Sequence, residues 1–306
     1  MRIARRLGVF GLVAGLAASA WPTGAQQVFR ASTDMVFLSV TATAAGRRVG
    51  DLGRDQFTVL EDGRPQEIAV FSRDPQPIAL SILLDTSMSM DSKMGIAADA
   101  AVGFVRRLGP NDTAQVITFD NSTQIPQTFT NDTALLERAI RSARPGGSTS
   151  LYTAIYVAFS ELDRVRQPAS DRVHRQAMIV LSDGEDTASR LRYEDVVDRA
   201  RRSDVLVFTI GLRDRSFGTR PANEYDFVLR TLAQTTGARS FIVDNEGQLP
   251  EIYTQIADEI ASQYTIGYVS RNQTQDGSWR QISVRVSAPG VVARTRAGYY
   301  APRKNP

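Results

Sequence analysis

Five oxygen-bearing side chains, Asp85, Ser87, Ser89, Thr149 and Asp183, stand at three places where an apolar run stops or a helical pattern begins. In "IALSILLDTSMS" a buried-type strand ends on Asp85, and Ser87 and Ser89 follow two residues apart. In "GGSTSLYTAI" Gly146 and Gly147 loosen a loop and Thr149 sits just before a helix. In "AMIVLSDG" a second apolar run ends on Asp183, and Gly184 permits a turn. Two carboxylates and two or three hydroxyls, with no histidine or cysteine among them, form a hard donor set. It suits Mg2+ or Mn2+ in octahedral geometry, with water completing the shell. Asp85 and Asp183 supply charge, the two serines share one side of their loop, and Thr149 approaches from a neighbouring loop. Asp85 could instead cap the helix that begins near Ser92, with the serines as turn residues. That reading accounts for the first segment but not for three in order. Asp91 reads as a cap or surface charge, Glu185 and Asp186 as a solvated loop, and Asp120 as a turn residue.

The elements that must position these groups can be read from periodicity. From Ile78 onward apolar runs ("IALSILLD", "AQVITFD", "AMIVLSDG", "VLVFTIGL", "RSFIVD") alternate with helical patterns. The clearest of these is Leu151, Ala154, Ile155, Ala158, Phe159, Leu162 and Val165. Strand–helix alternation of this kind predicts an α/β fold, a doubly wound, mostly parallel sheet with helices on both faces. In such a sheet ligands bind at the carboxyl ends of the strands, where Asp85 and Asp183 fall. On either side the texture is β. "MVFLSVTATAAGRRVGDL" reads as a strand and turn, and "FTVLEDGRPQEIAVFSR" as two strands joined at Glu61-Asp62-Gly63. "YTIGYVS", "RQISVRVS" and "VVARTRAGYYA" read as three more. About three strands per flank are marginal alone. Together they would make a small sandwich-like domain into which the α/β domain is inserted. The expected division is a signal peptide at 1–25, a β segment at 26–76, the α/β domain at 77–262, a second β segment at 263–302 and a short tail.

The order D-x-S-x-S, a threonine after glycines, and a strand-terminal Asp-Gly resembles the metal-ion-dependent adhesion site of von Willebrand factor type A domains. The match covers about residues 77 to 262. "FTVLEDGRPQEIAVF" and "WRQISVRVSAPGVVARTRAGYY" resemble the flanks of a bacterial, exported group related to those domains. The resemblance implies a Rossmann-like fold and Asp85, Ser87, Ser89, Thr149 and Asp183 as metal ligands. It also implies a non-enzymatic adhesion or assembly function, in which an acidic side chain of a partner protein completes the metal shell. Related sequences often carry an acid where Thr153 stands; that departure touches none of the five. Two other readings remain: a structural envelope protein with a vestigial metal site, and a metal-dependent hydrolase or phosphatase. A dehalogenase-type phosphatase would need an aspartate at Ser87. A serine triad would need His174, the one histidine, which lies in the basic stretch "SDRVHRQA".

Composition narrows the setting. Arg2, Arg5 and Arg6, the apolar stretch Leu7–Trp21 and Thr23-Gly24-Ala25 read as a cleaved export signal, which places the protein in the periplasm or medium. The whole chain carries net charge +3, but cleavage after Ala25 removes three arginines and leaves 33 basic against 33 acidic residues. That balance gives no electrostatic footprint for nucleic acid. The chain has no cysteine, which excludes disulfides, thiolate catalysis and zinc–thiolate sites. Apart from Lys93 and Lys304, its basic residues are arginines. No dinucleotide or P-loop glycine motif is present.

Overall fold

In the computed structural model, residues 35–166, 175–213 and 224–303 are described. The first flank contributes β1 (Met35–Ala44), β2 (Arg47–Arg48), β3 (Phe57–Glu61), β4 (Arg64–Gln66) and β5 (Ile68–Ser72). The α/β region follows with β6 (Ile78–Asp85), α1 (Met94–Val105), β7 (Thr113–Phe119), β8 (Thr123–Thr130), α2 (Thr133–Arg141) and α3 (Leu151–Val165). It continues with β9 (Arg175–Ser182), α4 (Tyr193–Arg201), β10 (Leu206–Leu212), α5 (Glu224–Thr236), β11 (Ser240–Val243) and α6 (Leu249–Ala261). The second flank supplies β12 (Tyr264–Val269), β13 (Trp279–Val286), β14 (Val291–Arg294) and β15 (Gly298–Tyr300).

The α/β strands form one sheet in the order β11-β10-β9-β6-β7-β8, parallel except for the antiparallel edge strand β8. Its central strands are apolar on both faces because helices cover both. Leu80, Ile82 and Leu84 of β6 pack with α1, α2 and α6. Leu83 turns the other way, with Met178 and Val180 of β9, against α3, α4 and α5. Each such fully buried aliphatic side chain contributes about 1.5–3 kcal/mol of burial free energy. Local signals set the helix starts. The Asp132 side chain caps α2 by accepting from Ala134 N at 2.9 Å and Leu135 N at 3.2 Å. Pro250 occupies the first turn of α6, where its missing N–H costs nothing.

The flanking strands pair with each other across the length of the chain. β1 lies between β12 and β14, with Met35 opposite Val269 and Thr41 opposite Arg294. β13 pairs with β3 and β15. The two resulting sheets share an apolar cluster that includes Leu38, Val40, Val59, Ile266 and Ile282.

Two expected strands are each broken in two. The arm after the Asp62-Gly63 turn divides at Glu67: β4 stays beside β3 while β5 pairs with β12. "VVARTRAGYYA" divides at Thr295–Ala297: β14 pairs with β1 and β15 with β13.

Candidate metal centre

β6 and β9 are neighbours and parallel, with Leu84 opposite Leu181, so Asp85 and Asp183 emerge at the same end of the sheet. Asp85 is fully buried. One of its carboxylate oxygens accepts the Ser87 backbone N–H at 2.8 Å, and the other accepts the Ser182 hydroxyl. Burial lifts the Asp85 carboxyl above its usual range. Hydrogen bonds from Ser182 and Ser87 oppose the rise, and the charge on Asp183 adds to it.

The Ser87 and Ser89 hydroxyls are 3.1 Å apart. Ser89 then donates to Asp183 Oδ1 at 2.6 Å. Asp183 Oδ2 is ion-paired with Lys93, and both side chains are largely buried, the carboxylate at 1% exposure and the lysine at 12%. Met88, between the serines, is 63% exposed.

Thr149 reaches this end of the sheet through a loop held on two sides. The Ser87 loop and the glycine loop are joined by Gly146 N to Thr86 O at 2.7 Å and Met88 N to Gly147 O at 3.1 Å. The loop after Asp183 clasps Thr149 itself. Its carbonyl accepts from Thr187 N at 2.9 Å and Ala188 N at 3.0 Å, and its own N–H donates to the Thr187 hydroxyl at 3.1 Å. The Thr149 hydroxyl faces Gly184, where an added Cβ would lie 3.7 Å from it.

Ser87, Ser89 and Asp183 are thus joined by hydrogen bonds, Asp85 joins them through Ser87, and Thr149 is fixed against the Asp183 loop. The set fits a divalent cation. Asp85 is a desolvated carboxylate lifted toward its neutral form beside a second carboxylate, and a cation among neutral hydroxyl oxygens would favour its ionised form.

Several supporting residues were not singled out by spacing. Ser182 holds Asp85, and the buried Tyr225 of α5 donates to the Ser182 carbonyl at 2.7 Å. Asn121 accepts the Ser148 N–H at 2.6 Å and so steadies the loop before Thr149. Asp186, expected as a solvated loop residue, instead ties down the start of α3. It accepts from Tyr152 N at 2.8 Å and from Ser189 N at 3.0 Å. Thr153 is occupied by Ser189, whose hydroxyl lies 3.0 Å from its own. The helix expected near Ser92 begins at Met94, and Asp85 does not cap it. His174 and the export signal at 1–25 lie outside the described residues. Among the described residues no helix is long and apolar enough to cross a membrane.

The model of the von Willebrand factor type A domain family matches residues 80–255. A search of curated proteins finds no match. Among solved structures, a von Willebrand factor type A protein from Catenulispora acidiphila shares 12% identity over 89% of this chain and 74% of its own, with a TM-score of 0.51. The PilB minor pilin of Streptococcus sanguinis shares 16% identity over 62% of this chain and 63% of its own, with a TM-score of 0.49. Proximal thread matrix protein 1 of the mussel byssus, solved with a zinc-occupied MIDAS motif, shares 16% over 64% of this chain and 48% of its own, with a TM-score of 0.48.

Proposed function

The chain belongs to the von Willebrand factor type A domain family, and from that premise we propose that it is a non-enzymatic, divalent-cation-dependent protein-binding module of an exported bacterial protein. Asp85, Ser87, Ser89 and Thr149 hold Mg2+ or Mn2+, and Asp183 acts directly or through water. A carboxylate from an exposed Asp or Glu of the partner takes the remaining position. Hydroxyl ligands complete the shell without quenching the ion's charge, which leaves it able to attract that carboxylate. No residue is assigned a catalytic role. The same reading takes 77–262 as the binding domain and treats the flanking strands as one sandwich-like support.

The observation that carries the proposal is the state of Asp85. It is a fully buried carboxylate held by Ser87 and Ser182, with a second carboxylate and two further hydroxyls alongside. Among the described residues the two carboxylates face the one ammonium of Lys93, and the remaining charge calls for a further cation.

Isothermal titration with Mg2+, Mn2+ and Ca2+ tests it. Binding is expected for the two smaller ions and weaker for Ca2+, because a small octahedral set favours the smaller ions. Asp85→Asn should abolish it and Ser87→Ala should weaken it. Capture of partners from envelope extract should depend on the divalent ion and be lost in EDTA. Unaltered cation binding in Asp85→Asn, or an identical partner set in EDTA, would overturn the proposal in favour of a structural protein.

A further inference from the structure

We propose that Lys93 sets the cation affinity of this centre: its ammonium occupies the position beside Asp183 that a divalent ion needs, so that loading is an exchange of one cation for another. The inference rests on the metal-binding reading above and adds to it a residue that opposes binding.

Three observations converge on Lys93. The first is the pairing itself. The Asp183 side chain is 1% exposed and has both carboxylate oxygens engaged, Oδ1 by the Ser89 hydroxyl at 2.6 Å and Oδ2 by the Lys93 ammonium. The ammonium also lies 3.5 Å from the Ser89 carbonyl oxygen. It therefore contacts two residues of the site, and among the described residues no second acid is paired with it. A divalent ion that uses Asp183, directly or through water, must compete with a positive charge already seated on that carboxylate.

The second observation is where the lysine stands. Lys93 is the N-cap of α1 and makes no side-chain capping bond. A cation there opposes the helix dipole, and the residue types that cap well are Ser, Thr, Asp and Asn. Ser92 stands one position earlier. The helix has no local use for a lysine at this position, whereas the carboxylate of Asp183 does.

The third is the choice of cation. The chain has 36 basic residues, of which Lys93 and Lys304 are the lysines and the rest arginines. Arginine presents a planar fork, while lysine presents a compact point charge on a flexible stem. A compact ammonium can sit in a space shaped for a bare ion and can swing away on its stem.

Lys93→Gln tests the proposal, with Lys93→Arg as the charge-retaining comparison and Asp85→Asn as the test of the centre itself. Titration calorimetry with Mg2+ should show Lys93→Gln binding at least about tenfold more tightly than wild type, since one elementary charge within a few ångströms of the ion is removed. Lys93→Arg should show no such gain. Thermal unfolding gives an independent readout. In EDTA, Lys93→Gln should melt below wild type, because Asp183 is left buried and unpaired. On addition of Mn2+ its melting temperature should rise by more than that of wild type. Equal Mg2+ affinity in wild type and Lys93→Gln would overturn the role of Lys93 while leaving the metal centre standing. Absence of binding in both would overturn the metal reading and this inference with it. Binding in Lys93→Gln alone, abolished again by adding Asp85→Asn, would support the exchange in its strongest form, a lysine that excludes the metal.

Discussion

At Gly147 the backbone adopts φ +73°, and a Cβ there would lie 2.9–3.0 Å from the side-chain atoms of Asn121. Asn121 in turn accepts the Ser148 N–H, so the two residues fit one another and fix the approach of Thr149. Gly147→Ala should destabilise the protein by about 1–3 kcal/mol, the cost of holding a non-glycine residue in the left-handed region. Asn121→Ala should cost only about 1 kcal/mol in urea unfolding, because it removes a single exposed hydrogen bond. It should nevertheless weaken Mg2+ binding in calorimetry, since Thr149 loses its brace. The five candidate residues could be singled out in the sequence because they fall at or shortly after a strand end or before a helix start. Their supports were not. Ser182 reads as one more strand residue, and Asn121 as part of a turn. Lys93 gives no periodic signal, and Asp186 looks like one acid in an acidic loop. What makes each of them matter is a partner dozens of residues away, such as Asp85 for Ser182.

Among the elements, α5 ends where the second flank crosses it. Gly237, just past the helix, has φ +83°, and a Cβ there would come within 2.4 Å of the Thr295 carbonyl carbon and 2.5 Å of Arg296 N. This close approach explains why "VVARTRAGYYA" is not one strand. Ala297 N donates to Thr235 O at 3.1 Å, the Thr295 hydroxyl to Ser39 O at 3.0 Å, and Arg294 Nε to Gly237 O at 2.9 Å. Ala297 N is thus satisfied by α5, while Ala297 O accepts from Ile282 N of β13 at 2.9 Å, so the link is held from several sides instead of by one continuous ladder. Alternation alone could not reveal that, because the choice of partner is made over long range. Gly237→Ala should therefore lower stability by more than the strain of the φ angle, about 1–3 kcal/mol, since the obstacle is backbone. Urea unfolding measures this. Next to the same crossing, Arg296 and Arg166 both engage Asp204, and Arg296 also reaches Phe37 O at 3.1 Å. Desolvation by the groups packed around it would raise the half-exposed Asp204 carboxyl, but the two guanidiniums outweigh that and hold it below its usual range. The stabilisation is then present above the unfolded value of about 3.9 and fades as pH falls through the lower folded value. Asp204→Asn should be less stable than wild type at neutral pH, with the gap closing in strong acid. A gap that persists unchanged at low pH would count against the ion pairs as its cause.

For the whole molecule, strand–helix alternation predicted the parallel sheet, and the site lies at the end of the sheet that the alternation implies. The pairing of the two flanks had no local signal beyond their shared β texture. β1 finds β12 and β14, and β3 finds β13, each more than 200 residues further along. A fragment of residues 35–76 should accordingly stay unfolded, with poorly dispersed amide resonances, because its strands lack those partners. At the other boundary, the buried Arg175 donates to Ile260 O at 3.0 Å, Gln263 O at 2.9 Å and the Thr265 hydroxyl at 3.1 Å. A fragment cut at 262 loses two of these three acceptors, so one extended to 266 should be the more stable in thermal unfolding. This boundary has a geometric consequence. The chain leaves the flanking sheets before β6 and returns to them after α6, and both passages lie at the end of the sheet opposite Asp85 and Asp183. A domain joined by one connection can swivel. A domain joined by two is restricted to rocking about the line between them, and Arg175 and the crossing at Gly237 limit even that. The described residues therefore form a stiff bracket, with both flanks in the mounting and the candidate metal centre at the end away from it. An oriented tip searches less volume than a tethered one. On any surface that holds the mounting, its effective concentration toward a facing partner follows from the length of the bracket and not from the slack of a linker.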